Sequence, residues 1–73
     1  MEKYRNLGGN SNVSFYEIGT DYIDVQFYGS GVYRYSYKSA GREKVEQMKL
    51  CARQGIGLNS YIKRNANKDY ERR

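Results

Sequence analysis

The sequence predicts an α+β fold: a three-stranded antiparallel sheet followed by two short helices packed on one face. Tyr22-Ile23-Asp24-Val25-Gln26-Phe27 alternates apolar and polar residues with the period of a half-buried strand. Gly29-Ser30-Gly31 then separates it from Val32-Tyr33-Arg34-Tyr35-Ser36-Tyr37, where three of the chain's nine tyrosines take alternate positions. Beyond Gly41 the apolar spacing changes to the helical period.

Residues 1–10 carry Gly8-Gly9 among polar turn formers and read as a flexible N-terminal arm, with Tyr4 or Leu7 as its anchor. The domain proper spans residues 11–66. Val13 to Ile18 is β-branched and aromatic enough for a strand, with Val13 and Phe15 on one face and Ile18 on the other, a conflict that a bulge or a short strand removes. Gly19-Thr20-Asp21 is a turn. For the next hairpin, loop length sets which faces match. A two-residue loop pairs Phe27 with Val32 and puts the tyrosines beside Asp24 and Gln26. A three-residue loop, with Gly31 left-handed, pairs Phe27 with Tyr33, Val25 with Tyr35 and Ile23 with Tyr37. The second register is preferred, because it gathers the apolar side chains on one face and leaves Asp24, Gln26, Arg34 and Ser36 on the other.

Ser39 or Gly41 can cap a helix running from Arg42 to about Gln54, with Val45, Met48 and Ala52 on one stripe and Cys51 at its edge. Arg42, Glu46, Lys49 and Arg53 are expected to face water, and Leu50 lies off the stripe. Gly55 and Gly57 end this helix. Leu58 to about Ala66 resumes helically, with Leu58, Tyr61 and Ile62 on one side, and residues 67–73 read as a frayed basic tail.

A chain of 73 residues makes one small domain that buries only about 60 % of its unfolded surface, so association with a second copy would help it. Its 38 % apolar content nevertheless excludes a disordered composition. Thirteen Lys and Arg against eight Asp and Glu give a net charge of +5. Residues 1–41 are balanced, while the excess lies in 42–54 and 62–73, an uneven field that suits nucleic acid or another anionic partner. One cysteine and no histidine rule out an internal disulfide and argue against a structural zinc site, so no metal or cofactor is expected. No signal peptide or membrane-length apolar run is legible, and a cytoplasmic location is expected.

Ser11-Asn12-Val13, Ile18-Gly19, Ile23-Asp24-Val25-Gln26-Phe27, Tyr33-Arg34-Tyr35, Gly55, Leu58-Asn59 and Ile62-Lys63 together resemble the KTSC domain. This short bacterial domain occurs at the C-terminus of some lysyl-tRNA synthetases and as free-standing proteins. The resemblance covers roughly residues 11–65, and its most characteristic element is the central Tyr-x-Tyr. The chain departs from the pattern in lacking the Val-Pro between the last strand and the helix, and in having Arg53 where the family usually has Ser. The resemblance implies structural roles for Tyr33, Tyr35, Gly55, Asn59 and Ile62, and RNA as the suggested partner.

Candidate site residues each have two readings. The tyrosines either stack bases or, as the preferred register implies, form the floor under the helices. Arg34 points to the opposite face, where it either joins Tyr28 and Lys38 in a nucleic-acid-binding patch or simply pairs with Asp24 or Gln26. Lys63, Arg64 and Lys68 form a basic edge suited to phosphates, or serve solubility. Asn59 is an N-cap or a ligand contact. Glu17, Asp21 and Asp24 are the nearest approach to paired catalytic carboxylates, and Cys51, the one candidate nucleophile, falls on the buried stripe. The chain therefore reads as a non-enzyme, either an RNA-binding accessory module or a protein-interaction module that self-associates.

Overall fold

The computed structural model describes residues 1–9 and 11–71. It is an α+β fold whose antiparallel sheet has four strands in the order β1-β2-β3-β4: Glu2–Lys3, Val13–Ile18, Tyr22–Phe27 and Gly31–Ser36. The extra strand comes from the segment read as a flexible arm. Glu2 and Lys3 pair with Tyr16 and Phe15, and the Tyr4 N–H donates to the Ser14 carbonyl at 2.9 Å. Tyr4 is only 2 % exposed, and its hydroxyl accepts from the Leu58 N–H at 3.2 Å. A ring that fills core space and also satisfies a buried backbone donor gives the arm a reason to be ordered. Leu7, the other proposed anchor, is exposed, although its N–H donates to the Gly55 carbonyl at 2.7 Å.

In β2 the register shifts between Val13 and Phe15, so a bulge at Ser14 resolves the facing conflict. Val13 and Tyr16 enter the core, Phe15 turns outward, and the Ser14 hydroxyl donates to the Gln26 carbonyl at 3.0 Å. The β3–β4 hairpin has a three-residue loop, Tyr28-Gly29-Ser30, with Gly31 left-handed at φ 87°. Phe27 pairs with Gly31, Val25 with Tyr33 and Ile23 with Tyr35, a slip of two residues from the preferred register. Because side chains alternate with period two, an even slip leaves the faces unchanged. Tyr33 and Tyr35 therefore lie with Ile23, Val25 and Phe27, and Arg34 lies opposite Asp24.

Tyr37 does not continue the strand. Ser36 caps a short helix, α1 (Tyr37–Ala40), in a capping box with Ser39, which releases Tyr37 from the sheet. Gly41 is the N-cap of α2 (Arg42–Gln54), which ends at Gly55 in the left-handed conformation, φ 76°. Val45, Met48 and Ala52 are buried as the spacing predicts, and Leu50 is exposed. Lys49 is not: it is 4 % exposed, its ammonium donating to the Thr20 carbonyl at 3.1 Å and pairing with Glu46 at 2.9 Å. Tyr37, displaced from the sheet, donates to the same Glu46 carboxylate at 2.5 Å and puts its ring 5.4 Å from the Lys49 nitrogen. These partners make burial of the cation tolerable where periodicity alone predicted solvent.

Gly57, not Asn59, is the N-cap of α3 (Leu58–Tyr61), which continues as a π-helical stretch, Ile62–Ala66. Leu58, Ile62 and Ala66 complete the core. The tail read as frayed is packed as far as it is described. Tyr70 meets Tyr33 edge-on at 4.9 Å, Asp69 pairs with Lys44 at 2.8 Å, and the Glu71 N–H donates to the Arg34 carbonyl at 2.5 Å. Arg72 and Arg73, which supply part of the tail's predicted charge, lie outside the described residues.

Tyr4→Phe, which keeps the ring but strands the Leu58 N–H, is expected to destabilise the protein by about 1–3 kcal/mol in urea unfolding. Leu7→Ala is expected to stay within about 0.5 kcal/mol. An unchanged stability for Tyr4→Phe would remove the anchoring role.

Candidate functional site

The two basic surfaces proposed from the sequence fare differently. Arg34 meets Asp24 through two hydrogen bonds of 2.7 and 3.0 Å, and its guanidinium stacks 3.8 Å from the centre of the Tyr22 ring. The hydrogen bonds to Asp24 raise its already high pKa further. Both the facing and the pairing follow from the register, which puts Asp24 directly across the strand. Tyr28 is exposed in the loop before β4, whereas Lys38 is exposed in α1 beyond the other end of that strand. The three residues are spread along β4 and do not converge.

Lys63 and Lys68 do come together. With Asn12, Phe27, Tyr33, Asn59 and Tyr70 among the other lining residues, they border a cleft of about 350 Å³ between the β3–β4 hairpin and the C-terminal helical segment. In a continuous α-helix positions 63 and 68 would lie about 140° apart. The π-helical stretch, with its wider i→i+5 turn, changes that relation, and Lys63, Asn67 and Lys68 all line the cleft. Arg64 is exposed and does not line it. Among the described residues neither lysine has an ion-pair partner, in contrast to Arg34, Lys44 and Lys49.

The inner wall is aromatic, its rings packed edge-on against one another. Phe27 meets Tyr33 edge-on at 5.4 Å, and Tyr70 spans Tyr33 and Tyr35, the latter at 6.3 Å. Tyr35 is 1 % exposed, and burial above all, then the neighbouring tyrosines and Asp69, pushes its phenol up to about 12. It is a neutral group at physiological pH. Around this wall stand the side-chain amides of Asn12, Asn59 and Asn67, each able to donate and to accept. Two cations, three amides and an aromatic wall suit a ligand combining an anionic group with a flat polar ring. Ile62 also lines this cleft, and Gly55 takes no part in it, ending α2 instead.

Sequence reasoning does not single out Asn67 or Tyr70, and it names Asn12 only within the Ser11-Asn12-Val13 motif, with no site role. Tyr70 had a signal, an aromatic residue inside an otherwise charged and polar tail, but only chain reversal after Ala66 brings it onto Tyr33. Of the carboxylates considered for catalysis, Asp24 holds Arg34, Glu17, its cross-strand neighbour, pairs with the N-terminal amine at 3.5 Å, and Asp21 is exposed in the turn before β3. Cys51 is buried, with the Gln47 amide 3.9 Å from its sulfur. Among the described residues no group of His, Cys, Asp or Glu could hold a metal ion, and no helix is long and apolar enough to cross a membrane.

No family model, curated protein or solved structure matches this chain.

The raised Tyr35 phenol makes an alkaline prediction. Between the ordinary pKa of 10.0 and the folded value of about 12, the unfolded chain loses this proton while the folded chain retains it. Stability contributed by Tyr35 is thus complete below pH 10.0 and declines toward 12. Urea midpoints measured near pH 8 and near pH 11 should fall less for Tyr35→Phe than for the parent protein. An equal fall in both would refute the assignment.

Proposed function

We propose that this chain is a small non-catalytic module that binds single-stranded RNA, with a base against the aromatic wall and adjoining phosphates on Lys63 and Lys68. The observation that carries this reading is the pairing of two cations, free of ion-pair partners among the described residues, with a wall of mutually packed tyrosines in one cleft. Aromatic faces hold unstacked bases with little sequence preference, and Lys contacts to phosphate release condensed counterions. The resemblance to the KTSC domain belongs to this proposal and agrees with it in its suggested partner. So does a cytoplasmic site of action.

A second reading, a protein-interaction or self-associating module, is favoured by Phe15 and Val32. They flank Gln26 in one cross-strand row of the uncovered sheet face and are 39 % and 38 % exposed. Strand addition is the less suited route, since β1 has two residues and the tail occupies the Arg34 carbonyl on the edge of β4. Light scattering over a concentration series addresses it, and a homodimer sensitive to Val32→Lys would favour this reading.

The RNA reading predicts anisotropy titrations that weaken steeply between about 50 and 200 mM salt. Replacing both Lys63 and Lys68 by Ala should flatten the slope of log K against log salt by about 1.4, at roughly 0.7 per single-strand phosphate contact. Lys38→Ala, remote from the cleft, should leave the slope unchanged. Absence of binding at low salt would dispose of the proposal.

A further inference from the structure

A second cleft, of about 320 Å³, adjoins the first. Asn59 lines both. The division continues at a second place, where Asn12 lines the first cleft and its chain neighbour Ser11 the second. The two cavities therefore share Asn59 and are lined by the chain neighbours Ser11 and Asn12, one on each. Each lies near the lower end of the size range of small-molecule sites, about 300–1,000 Å³, so each suits one compact unit.

Their chemistry differs. The second cleft is lined by Tyr4, Asn6, Ser11, Ile56 and Ser60, with no lysine or arginine among its described lining residues. Its polar side chains are fixed by backbone donors: the Leu58 N–H to the Tyr4 hydroxyl at 3.2 Å, and the Ser11 N–H to Asn6 Oδ1 at 3.1 Å. The Val13 N–H donates to the Ser11 hydroxyl oxygen at 3.1 Å. Asn6 holds a left-handed backbone, φ 54°, uncommon outside glycine. With its oxygen engaged, Asn6 directs its amide hydrogens elsewhere, and Ile56, 49 % exposed, supplies an apolar surface. A site of hydroxyls, two amides and one apolar side chain suits a base or a ribose rather than a phosphate.

Resting on the RNA reading, we infer that the clefts on either side of Asn59 are two consecutive nucleotide subsites, one holding a base with its phosphate on Lys63 and Lys68, the other taking the neutral part of the neighbouring nucleotide. The recognised unit is then a dinucleotide step. Asn59, which the sequence suggested as an N-cap or a ligand contact, bridges the two.

Calorimetric titration with 5′-phosphorylated uridine mono-, di- and trinucleotides tests this directly. The dinucleotide should bind about tenfold tighter than the mononucleotide, within the range of one additional base contact, and the third nucleotide should add less than about twofold. Ser60→Trp fills the second cleft from an exposed position. It should abolish the dinucleotide's advantage while leaving mononucleotide affinity unchanged, which also shows that the variant is folded. A dinucleotide no tighter than the mononucleotide, or an advantage that survives Ser60→Trp, overturns the two-subsite inference and leaves the RNA reading standing. Failure of every oligonucleotide to bind at low salt overturns both.

Discussion

The pairing of β3 with β4 is the constraint on which the rest of the molecule depends. Val25 against Tyr33 and Ile23 against Tyr35 put two large rings on the face that α2 covers. A fully buried aromatic side chain removes about 150–250 Å² from water, worth at most about 4–6 kcal/mol at 25 cal/mol/Å². In a chain this short that is a large share of the available hydrophobic stabilisation. A slip of one residue would bring Val32 and Arg34 under the helix and expose the rings. A slip of two preserves the faces, so the hairpin tolerates ambiguity in pairing but not in parity.

The same small core obliges its polar groups to find partners. Ser14 at the bulge, Ser36 at the start of α1, and Lys49 under Tyr37 are all buried, and each has a hydrogen bond in the structure. Tyr4 and Leu58, far apart in sequence, satisfy one another. An unsatisfied donor or an unpaired buried charge would cost several tenths of the total stability of a domain of this size, about 5–15 kcal/mol. The arm, the turn after β2 and the C-terminal tail are thereby tied to the body by polar contacts as much as by apolar ones.

Against that background the two lysines of the cleft stand apart. Arg34 is held by Asp24 and Tyr22, Lys44 by Asp69, and Lys49 by Glu46 and Thr20, whereas Lys63 and Lys68 border a concave surface with amides and tyrosines. The tail creates this surface: Tyr70 forms part of its wall, and Asp69 and Glu71 secure Tyr70 from either side. The proposed ligand chemistry therefore depends on residues that a reading of the strands alone would set aside.

The alternation of residues 22–27 and 33–35 was sufficient to separate Ile23, Val25, Tyr33 and Tyr35 from Asp24 and Arg34, because parity is a local property of a strand. Helical spacing likewise identified Val45, Met48 and Ala52, and Gly55 as the end of their helix. Neither pattern could reveal that Lys49 is buried, that Glu2–Lys3 adds a fourth strand, or that Lys63, Asn67, Lys68 and Tyr70 share a cleft with Asn12 and Asn59. Those facts depend on which carbonyl, carboxylate or ring arrives from a distant part of the chain. By itself the sequence determined the faces of β3 and β4 and the buried stripe and end of α2, through short-range periodicity. The tertiary structure decided the partners of the charges and the composition of the cleft, since long-range contacts are settled only by the competition to fill space and satisfy every buried polar group.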